Sequence, residues 1–379
     1  MDNLTHSLVG LAAAKSGLER LSPGATTLCI IAANAPDADV VVIAFADRWT
    51  TLQHHRGITH AIVGVAAISI LLPSLFYLGD LIHSRLKQTP PRVKFGGLLL
   101  ASILVSATHP LLDWTNNYGV RFFLPWSSHW SYGDLVFIVD PFIWILLGSA
   151  CFLLTMRTKL QQLGWSLIGV VLTLLIFMST RSGNLPAPWL IRGLWVIVLM
   201  GLFVLFKKHL GERFGGRLTK AALVILVAYW SVLAYAHSNA LTRAREQAEL
   251  VKSPGEVVSR IVAMPTLANP LRWDCIFETD KASYRFNIKL LSGNSVVRPV
   301  RYEKPSGKTA QALNAVASDR RTQIFLGFAR FPVTKLSDPD CATQTLVQLA
   351  DLRYTEPGRQ RGTFSLDIPI DCTLLSNGR

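Results

Sequence analysis

Histidines and aspartates recur in the first third of the chain, within stretches that are otherwise apolar. An ionisable side chain at the centre of a membrane helix costs at least about 2.5–3.5 kcal/mol, so such residues mark functional sites by default. Neutral imidazoles and carboxylates are ligands for divalent ions such as Zn²⁺. The candidate metal ligands are His6, Asp37, His55, His60, His109 and Asp113.

Two spacings in this set have a direct geometric meaning. His109 and Asp113 are four residues apart, so on a helix they share one face and can reach one ion. Asp37 and Asp39 follow Pro36, where an interrupted helix lets either carboxylate turn toward a cavity. The ligand mixture favours Zn²⁺, with Mn²⁺ as an alternative, and the number of ligands makes a cluster of two or three ions feasible.

A metal ion lowers the pKa of a bound water and polarises a phosphoryl or carbonyl oxygen, so hydrolysis is the natural reaction for this set. We expect Asp37 and Asp39 to be the catalytic carboxylates, with Asp39 as general base. Structural roles remain as alternatives, since His6 suits a helix start and either aspartate could cap a helix or pair with Arg56. Four nearby residues have weaker support: His54, His129, Asp134 and Asp140.

Long apolar runs surround these residues. Half of the 379 residues are hydrophobic, the mean hydropathy is +0.34, and a helix needs about 20 apolar residues to cross a bilayer. We predict an α-helical polytopic membrane protein with about seven to eight membrane segments. The stretch 26–46 is interrupted by Pro36, and the first segment, 4–14, is short or re-entrant. Clear spans are 60–79, 97–113, 136–155, 163–179, 189–206 and 220–237.

The net charge is +14, and the distribution of the basic residues along the chain indicates the membrane topology. Basic residues concentrate in the loops 80–96, 156–162 and 207–220, which are therefore cytoplasmic by the positive-inside rule. This orientation puts Met1, all candidate ligands and the tail after residue 237 on the outer side of the membrane. We expect the lipid bilayer as a partner, no nucleic acid, and no cleavable signal peptide.

The chain divides into four parts by composition. We predict a membrane-embedded metal-site domain over 1–135, membrane helices over 136–237, a helical stalk over 238–253, and an extracytoplasmic β-rich soluble domain over 254–379. Alternation of period two in the last part predicts strands. These lie at 284–291, 295–302, 322–331 and 362–370, with a turn at 292–294 between the first two.

The five cysteines have no zinc-ribbon or redox spacing. Cys29 and Cys151 lie in apolar segments and suit small buried residues. Cys275, Cys341 and Cys372 lie in the outward tail, where an oxidising compartment permits one disulfide and leaves one thiol. The spacing does not select the pair.

Five motifs in order resemble the bacterial membrane-bound metal-dependent hydrolases of the YdjM-like inner-membrane group. The motifs are MDNLTHSLVG, NAPDADV, HHRGITHAIVG, THPLLDWTNNYGVRFFLPW and YGDLVFIVDPFIW. The resemblance covers about 1–150 and implies a distant relation to the zinc-dependent phospholipase C and single-strand nuclease superfamily. It implies metal ligation by His6, Asp37 or Asp39, His55 or His60, and His109 with Asp113. The soluble enzymes add an H-x-x-x-E helix that this chain lacks after Asp113, so the resemblance does not extend to the third metal position.

The leading hypothesis is an inner-membrane, metal-dependent hydrolase that cleaves a phosphoester or related bond at the outer face, with a lipid as one candidate substrate. A transporter or ion conduit is an alternative, because intramembrane His and Asp also mark ion pathways. A membrane stress-related scaffold with a structural metal site is a third. The oligomeric state and the exact substrate are open at this point.

Overall fold

The computed structural model describes residues 1–43, 45–179, 188–291, 298–341, 343–359 and 362–376. Helices dominate up to residue 251, and a β-sheet region follows. Within the described residues, five helices are long and apolar enough to cross a membrane. They are Ile62–Lys87, Phe95–Trp114, Lys159–Met178, Trp189–Lys207 and Arg217–Val251.

Eleven helices precede the β region in the described part of the chain. They are α1 Asn3–Lys15, α2 Ala25–Asn34, α3 Val40–Ile43, α4 Arg48–His54, α5 Ile62–Lys87, α6 Phe95–Trp114, α7 Pro141–Thr155, α8 Lys159–Ser179, α9 Pro188–Lys207, α10 Leu210–Phe214 and α11 Arg217–Val251. Short 3₁₀ turns lie at Leu18–Arg20, Ala35–Asp39 and Ile58–His60. The last two of these turns carry candidate ligands.

The predicted number of seven to eight membrane segments is not confirmed. The stretch 26–46 is broken, because α2 ends at Asn34 and the chain continues as the 3₁₀ turn Ala35–Asp39, which contains Pro36. The span predicted at 136–155 is also shorter, since α7 begins at Pro141. Asp140 sets that start by accepting hydrogen bonds from the backbone amides of Phe142 and Ile143.

α1 lies between two sets of helices. On one side α1 contacts α7 and α11 through apolar residues that include Leu8, Leu147 and Leu226. On the other side it contacts α2, which in turn packs on α6. By contrast, α8 and α9 have almost no buried residues along their apolar stretches, which suits contact with lipid.

The C-terminal region is built on two antiparallel sheets. Every fourth residue on the last turns of α11 is alanine, from Ala236 to Ala248, and this stripe packs against Trp273, Phe277 and other side chains of the first sheet. The first sheet has the order β1 Val258–Thr266, β2 Asn269–Thr279, β3 Ala282–Lys289 and β4 Val300–Glu303. The second has the order β5 Pro332–Leu336, β6 Gln344–Asp351 and β7 Ser365–Asp371, and the region's helices are α12 Gly307–Ala315, α13 Arg320–Phe328 and α14 Thr373–Ser376.

The predicted elements of the tail agree with the structure in part. The alternation at 284–291 and 362–370 largely corresponds to β3 and β7. Of the predicted strand 295–302, residues 298–302 are described and β4 begins there at Val300, whereas 295–297 and the predicted turn at 292–294 lie outside the described residues. The predicted strand 322–331 is wrong. Its first part belongs to α13, which Asp319 caps and which buries Thr322, Phe325 and Phe328 along one face.

The cysteines of the tail have one pairing in the structure. Cys341 and Cys372 form a disulfide, which joins the loop before β6 to the residue that follows β7. Cys275 is a buried free thiol in β2, and Cys29 and Cys151 are buried in helices, as predicted for small core residues.

Candidate metal centre

Four ligand residues from three elements meet at one point. His109 and Asp113 lie one turn apart on α6, Asp37 lies on the 3₁₀ turn after α2, and His60 ends the 3₁₀ turn before α5. The side chains of His60, His109 and Asp113 are at most 1% exposed, and that of Asp37 is 15% exposed. Three histidine and aspartate side chains this deeply buried require a partner that compensates their loss of water.

The distances between the ligand atoms fit one tetrahedral ion. Five of the distances among His60 Nε2, His109 Nε2, Asp37 Oδ1 and Asp113 Oδ2 are between 3.1 and 3.5 Å, and all four atoms lie within 4.8 Å of one another. A tetrahedron with metal–ligand distances of about 2.0–2.1 Å has edges of about 3.3–3.4 Å. The four atoms therefore surround a space of the size that Zn²⁺ requires. We refer to Asp37, His60, His109 and Asp113 as the buried group.

The imidazoles of the buried group are oriented by second contacts. His109 Nδ1 lies 2.6 Å from the carbonyl oxygen of Ala33, which only accepts, so Nδ1 carries the proton and Nε2 offers its lone pair. His60 Nδ1 lies 3.1 Å from Thr59 Oγ1 and 3.8 Å from Asp39 Oδ2. Both rings thus point Nε2 at the same centre.

A second set of three ligands lies beside the buried group. Asp37, Asp39 and His55 each offer one atom within 4.8 Å of the others, and we refer to them as the open group. His55 Nδ1 is 3.4 Å from Asp39 Oδ2, and the two side chains are 30% and 7% exposed. Asp39 Oδ1 has no hydrogen-bond partner among the described residues. Asp37 belongs to both groups, so the two candidate sites share a carboxylate.

His6 reaches the centre from α1 but lies outside the four-atom set. Its ring stacks on His109 with the ring centroids 3.8 Å apart, and its Nε2 is 3.4 Å from Asp113 Oδ1. Neither ring nitrogen of this fully buried residue has a hydrogen-bond partner within the described part of the chain. The amino group of Met1 also contacts Asp113 Oδ1. Asp113 therefore directs one oxygen at the buried group and the other toward His6.

Arg56 is the main residue at the centre whose role the sequence did not indicate. The sequence suggests it only as an alternative partner of Asp37 or Asp39, whereas in the structure its Nη2 donates to Asp113 Oδ1 at 3.0 Å. Its Nη1 donates to Asn116 Oδ1 and to the carbonyl oxygen of Gly119, both at 3.1 Å. The signal available in the sequence was its position between His55 and Gly57, followed by the polar TNNYG stretch after α6.

The residues with weaker sequence support lie away from the ligand atoms. His54 and His129 are exposed. Asp134 pairs with Arg330 of the C-terminal region at 2.8 Å. Asp140 caps α7 and accepts a hydrogen bond from the Tyr229 hydroxyl at 2.9 Å. These aspartates have structural partners that account for them.

These features define a class of protein: a helical membrane protein with a buried cluster of metal-ligand geometry at the ends of its helices and a C-terminal β region. Residues 1–185, which include the whole cluster, match the family described as YdjM inner membrane protein. The family match and the five membrane-length helices indicate an inner-membrane protein.

One curated relative adds to this comparison. Over 155 residues the chain is 30% identical to a Bacillus subtilis (strain 168) protein named "Uncharacterized protein YfhP". The match covers 38% of this chain and 43% of the relative, so the chain spans less than half of the relative's length. No solved structure matches the chain. Neither the family's description nor the relative's name states an activity.

Proposed function

We propose that the protein is a metal-dependent hydrolase of the inner membrane, acting on a phosphoester or related bond. The observation that carries the proposal is the sharing of Asp37 between a closed and an open set of ligands. Four protein ligands fill a structural zinc site, whereas three protein ligands are typical of a catalytic one. The buried group has four candidate ligands, as in a structural site, and the open group has three, as in a catalytic site.

A divalent ion would supply an activated water and would polarise the bond to be cleaved. The chain's own residues would take up the proton of that water and balance charge at the centre. Asp39 lies beside His55 at the exposed side, where a carboxylate and an imidazole 3.4 Å apart can take up a proton from water. Arg56 directs positive charge at Asp113, with its Nη2 atom 3.0 Å from Oδ1, and so balances the negative charge of that carboxylate. Asp39 remains the proposed general base, with His55 next to it.

The four-ligand geometry also favours a second candidate function, a membrane scaffold with a structural metal site. A closed set with no position for water holds its elements together without chemistry. In that case the buried group would bind an ion, and the open group would only be hydrogen-bonded. The two candidates differ in whether a bound ion is accompanied by hydrolysis.

The test uses full-length protein purified in detergent. Bound metal is measured by elemental analysis, and hydrolysis is measured with bis(p-nitrophenyl) phosphate and with phospholipid vesicles, before and after chelation. We expect at least one equivalent of a divalent ion and an activity that chelation removes and Zn²⁺ or Mn²⁺ restores. His109→Ala and Asp113→Ala should lose both, because each removes a ligand of the buried group.

His83→Ala is the matched control, since His83 is an exposed histidine on α5, away from the centre. It should retain the parent's metal content and activity. A folded parent protein without stoichiometric metal would contradict both candidates. Bound metal with no hydrolysis of either substrate would leave the scaffold as the better account.

A further inference from the structure

The loop after α6 lies between the metal centre and the C-terminal region. Tyr118 in this loop is 7% exposed. On one side its ring lies 4.7 Å from the Arg56 guanidinium and 5.4 Å from the His55 ring. On the other side it lies 4.9 Å from the ring of Phe328 on α13. One side chain therefore contacts both parts of the molecule.

The backbone of the same loop is held by the C-terminal region. Arg353 is fully buried and donates to the carbonyl oxygens of Asn117 at 2.8 Å and of Tyr118 at 3.3 Å. Its charge is balanced by Asp351 at 2.7 Å, and it also donates to the carbonyl oxygen of Phe328. A buried arginine with all of these partners fixes the loop in one place, because moving the loop would leave its donors unsatisfied.

Further contacts fasten the two parts together around Tyr118. Arg330 donates from Nη1 to both carboxylate oxygens of Asp134, at 2.9 Å to Oδ1 and 2.8 Å to Oδ2, and both side chains are largely buried. Trp130 donates from its indole nitrogen to the carbonyl oxygen of Gly327 at 3.0 Å. Trp49, Leu52 and Tyr118 belong to the same apolar core as residues of α12, α13 and the second sheet. The interface is continuous with the interior of the C-terminal region.

From Tyr118 the contacts lead directly to both ligand groups. Arg56 donates from its side chain to Asp113 of the buried group at 3.0 Å. The Arg56 backbone amide donates to Asp39 of the open group at 2.9 Å. Arg56 has a positive φ of 52°, a conformation that needs surrounding contacts to hold it. Tyr118 covers the side chain of this residue and so restrains it.

We propose that Tyr118, held in place by Arg353 and Phe328, is a positioning residue through which the docked C-terminal region sets the geometry of the metal centre. The inference rests on the metal site of the proposed function but not on hydrolysis. It assigns the C-terminal region a part in metal binding. Loosening the docking or removing the ring should weaken metal binding even though every ligand residue is intact.

The test compares variants of the full-length protein. Tyr118→Leu removes the ring, and Tyr118→Phe keeps it. Asp134→Asn weakens the docking without touching the centre, and asparagine tolerates the positive φ of 52° at that position. Arg320→Gln is the control, because Arg320 contacts Asp47 in the same interface but both side chains are more than half exposed. Zinc affinity is measured by competition with a chelating dye, and site geometry by the visible spectrum of bound Co²⁺.

We expect Tyr118→Leu to lower zinc affinity by roughly 10- to 100-fold, the range typical of lost outer-shell support, and to change the Co²⁺ spectrum. Asp134→Asn should shift both measurements in the same direction. Tyr118→Phe and Arg320→Gln should stay within about threefold of the parent. A folded Tyr118→Leu or Asp134→Asn protein with parental affinity and spectrum would overturn the inference.

If the parent binds no zinc, the proposed function is contradicted, but the inference can still be tested. The measurement in that case is amide hydrogen exchange without added metal. The segment 54–60 carries His55, Arg56 and His60. Its amides should exchange faster in Tyr118→Leu and Asp134→Asn than in Tyr118→Phe and the parent. Equal exchange in all four proteins would overturn the inference, whatever the outcome of the hydrolysis assay.

Discussion

At the scale of single residues, the sequence identified the candidate ligands but left two choices between residues close in sequence, and the structure makes those choices. His109 and Asp113 could be assigned together, because a spacing of four places both on one helix face. The choices between Asp37 and Asp39 and between His55 and His60 depend on the φ and ψ angles of short turns. His60 and Asp37 face His109, while His55 and Asp39 face each other. No local pattern predicts that partition.

The two histidines of the HHRGITH motif should therefore differ in their effect on metal content. His60→Ala removes a ligand of the buried group and should lower zinc affinity more than about 100-fold, since even outer-shell losses cost roughly 10- to 100-fold. His55→Ala should keep one tightly bound ion but lose hydrolysis, because it changes only the open group. The measurement is metal stoichiometry together with hydrolysis of the substrates named above.

His54→Ala serves as the control for this pair, since His54 is an exposed histidine of the same motif and is adjacent to His55 in sequence. It should match the parent in metal content. If His55→Ala emptied the protein of metal as fully as His60→Ala, the division into a buried and an open group would be incorrect.

At the scale of elements, the close packing of α1 against α2 positions a residue that orients a ligand of the buried group. A Cβ atom at Gly10 would lie 2.6 Å from the carbonyl oxygen of Cys29 and 2.8 Å from Cβ of Ala33. Ala33 is the residue whose carbonyl oxygen orients His109. The glycine thus allows α1, with His6, to pack directly on the part of α2 that holds the site.

Gly10→Ala should consequently affect both stability and metal binding. Separating the two backbones costs about 1–3 kcal/mol, the usual penalty for overpacking, and shifts the Ala33 carbonyl away from His109. We expect a lower melting temperature and weaker zinc affinity. Gly79→Ala is the matched control, because a Cβ on that glycine of α5 meets nothing within 4 Å. Parental stability and affinity in Gly10→Ala would show that the helices adjust without cost.

Elements also show where sequence patterns mislead. The apolar residues at 322–331 fit both the period of two that is typical of a strand and the period of 3.6 that is typical of a helix. The Asp319 cap favours the helix. The break of 26–46 was readable from Pro36, because proline cannot continue the hydrogen bonds of α2. Strands β1 and β2 were not predicted, since part of each is buried on both faces and the alternation is lost.

At the scale of the whole molecule, α6 connects two ends of different character. Its first residues lie beside the basic loops, where the Lys94 amide donates to Ser22 Oγ at 2.9 Å and Gly97 approaches Leu21. Its last turn carries His109 and Asp113 and leads into the loop that contacts the C-terminal region. That docking joins residues more than 190 positions apart, so no local sequence pattern could predict it.

Because the basic loops and the metal centre lie at opposite ends of α6, one labelling experiment can test the orientation of the protein in the membrane. The basic loops should be cytoplasmic, and the metal centre with the docked C-terminal region should face outward. Single cysteines placed at exposed residues report the side. Gln53→Cys and Lys335→Cys should react with a membrane-impermeant maleimide in intact cells, whereas Lys87→Cys and Lys208→Cys should react only after the inner membrane is opened.

The native cysteines give a low background for this labelling, because Cys29, Cys151 and Cys275 are buried and Cys341 is joined to Cys372. The disulfide itself points the same way, since such bonds persist mainly outside the cytoplasm. The reverse labelling pattern would place the centre on the cytoplasmic face. A substrate would then have to be reached from inside the cell, and the placement of Lys and Arg would have another cause than topology.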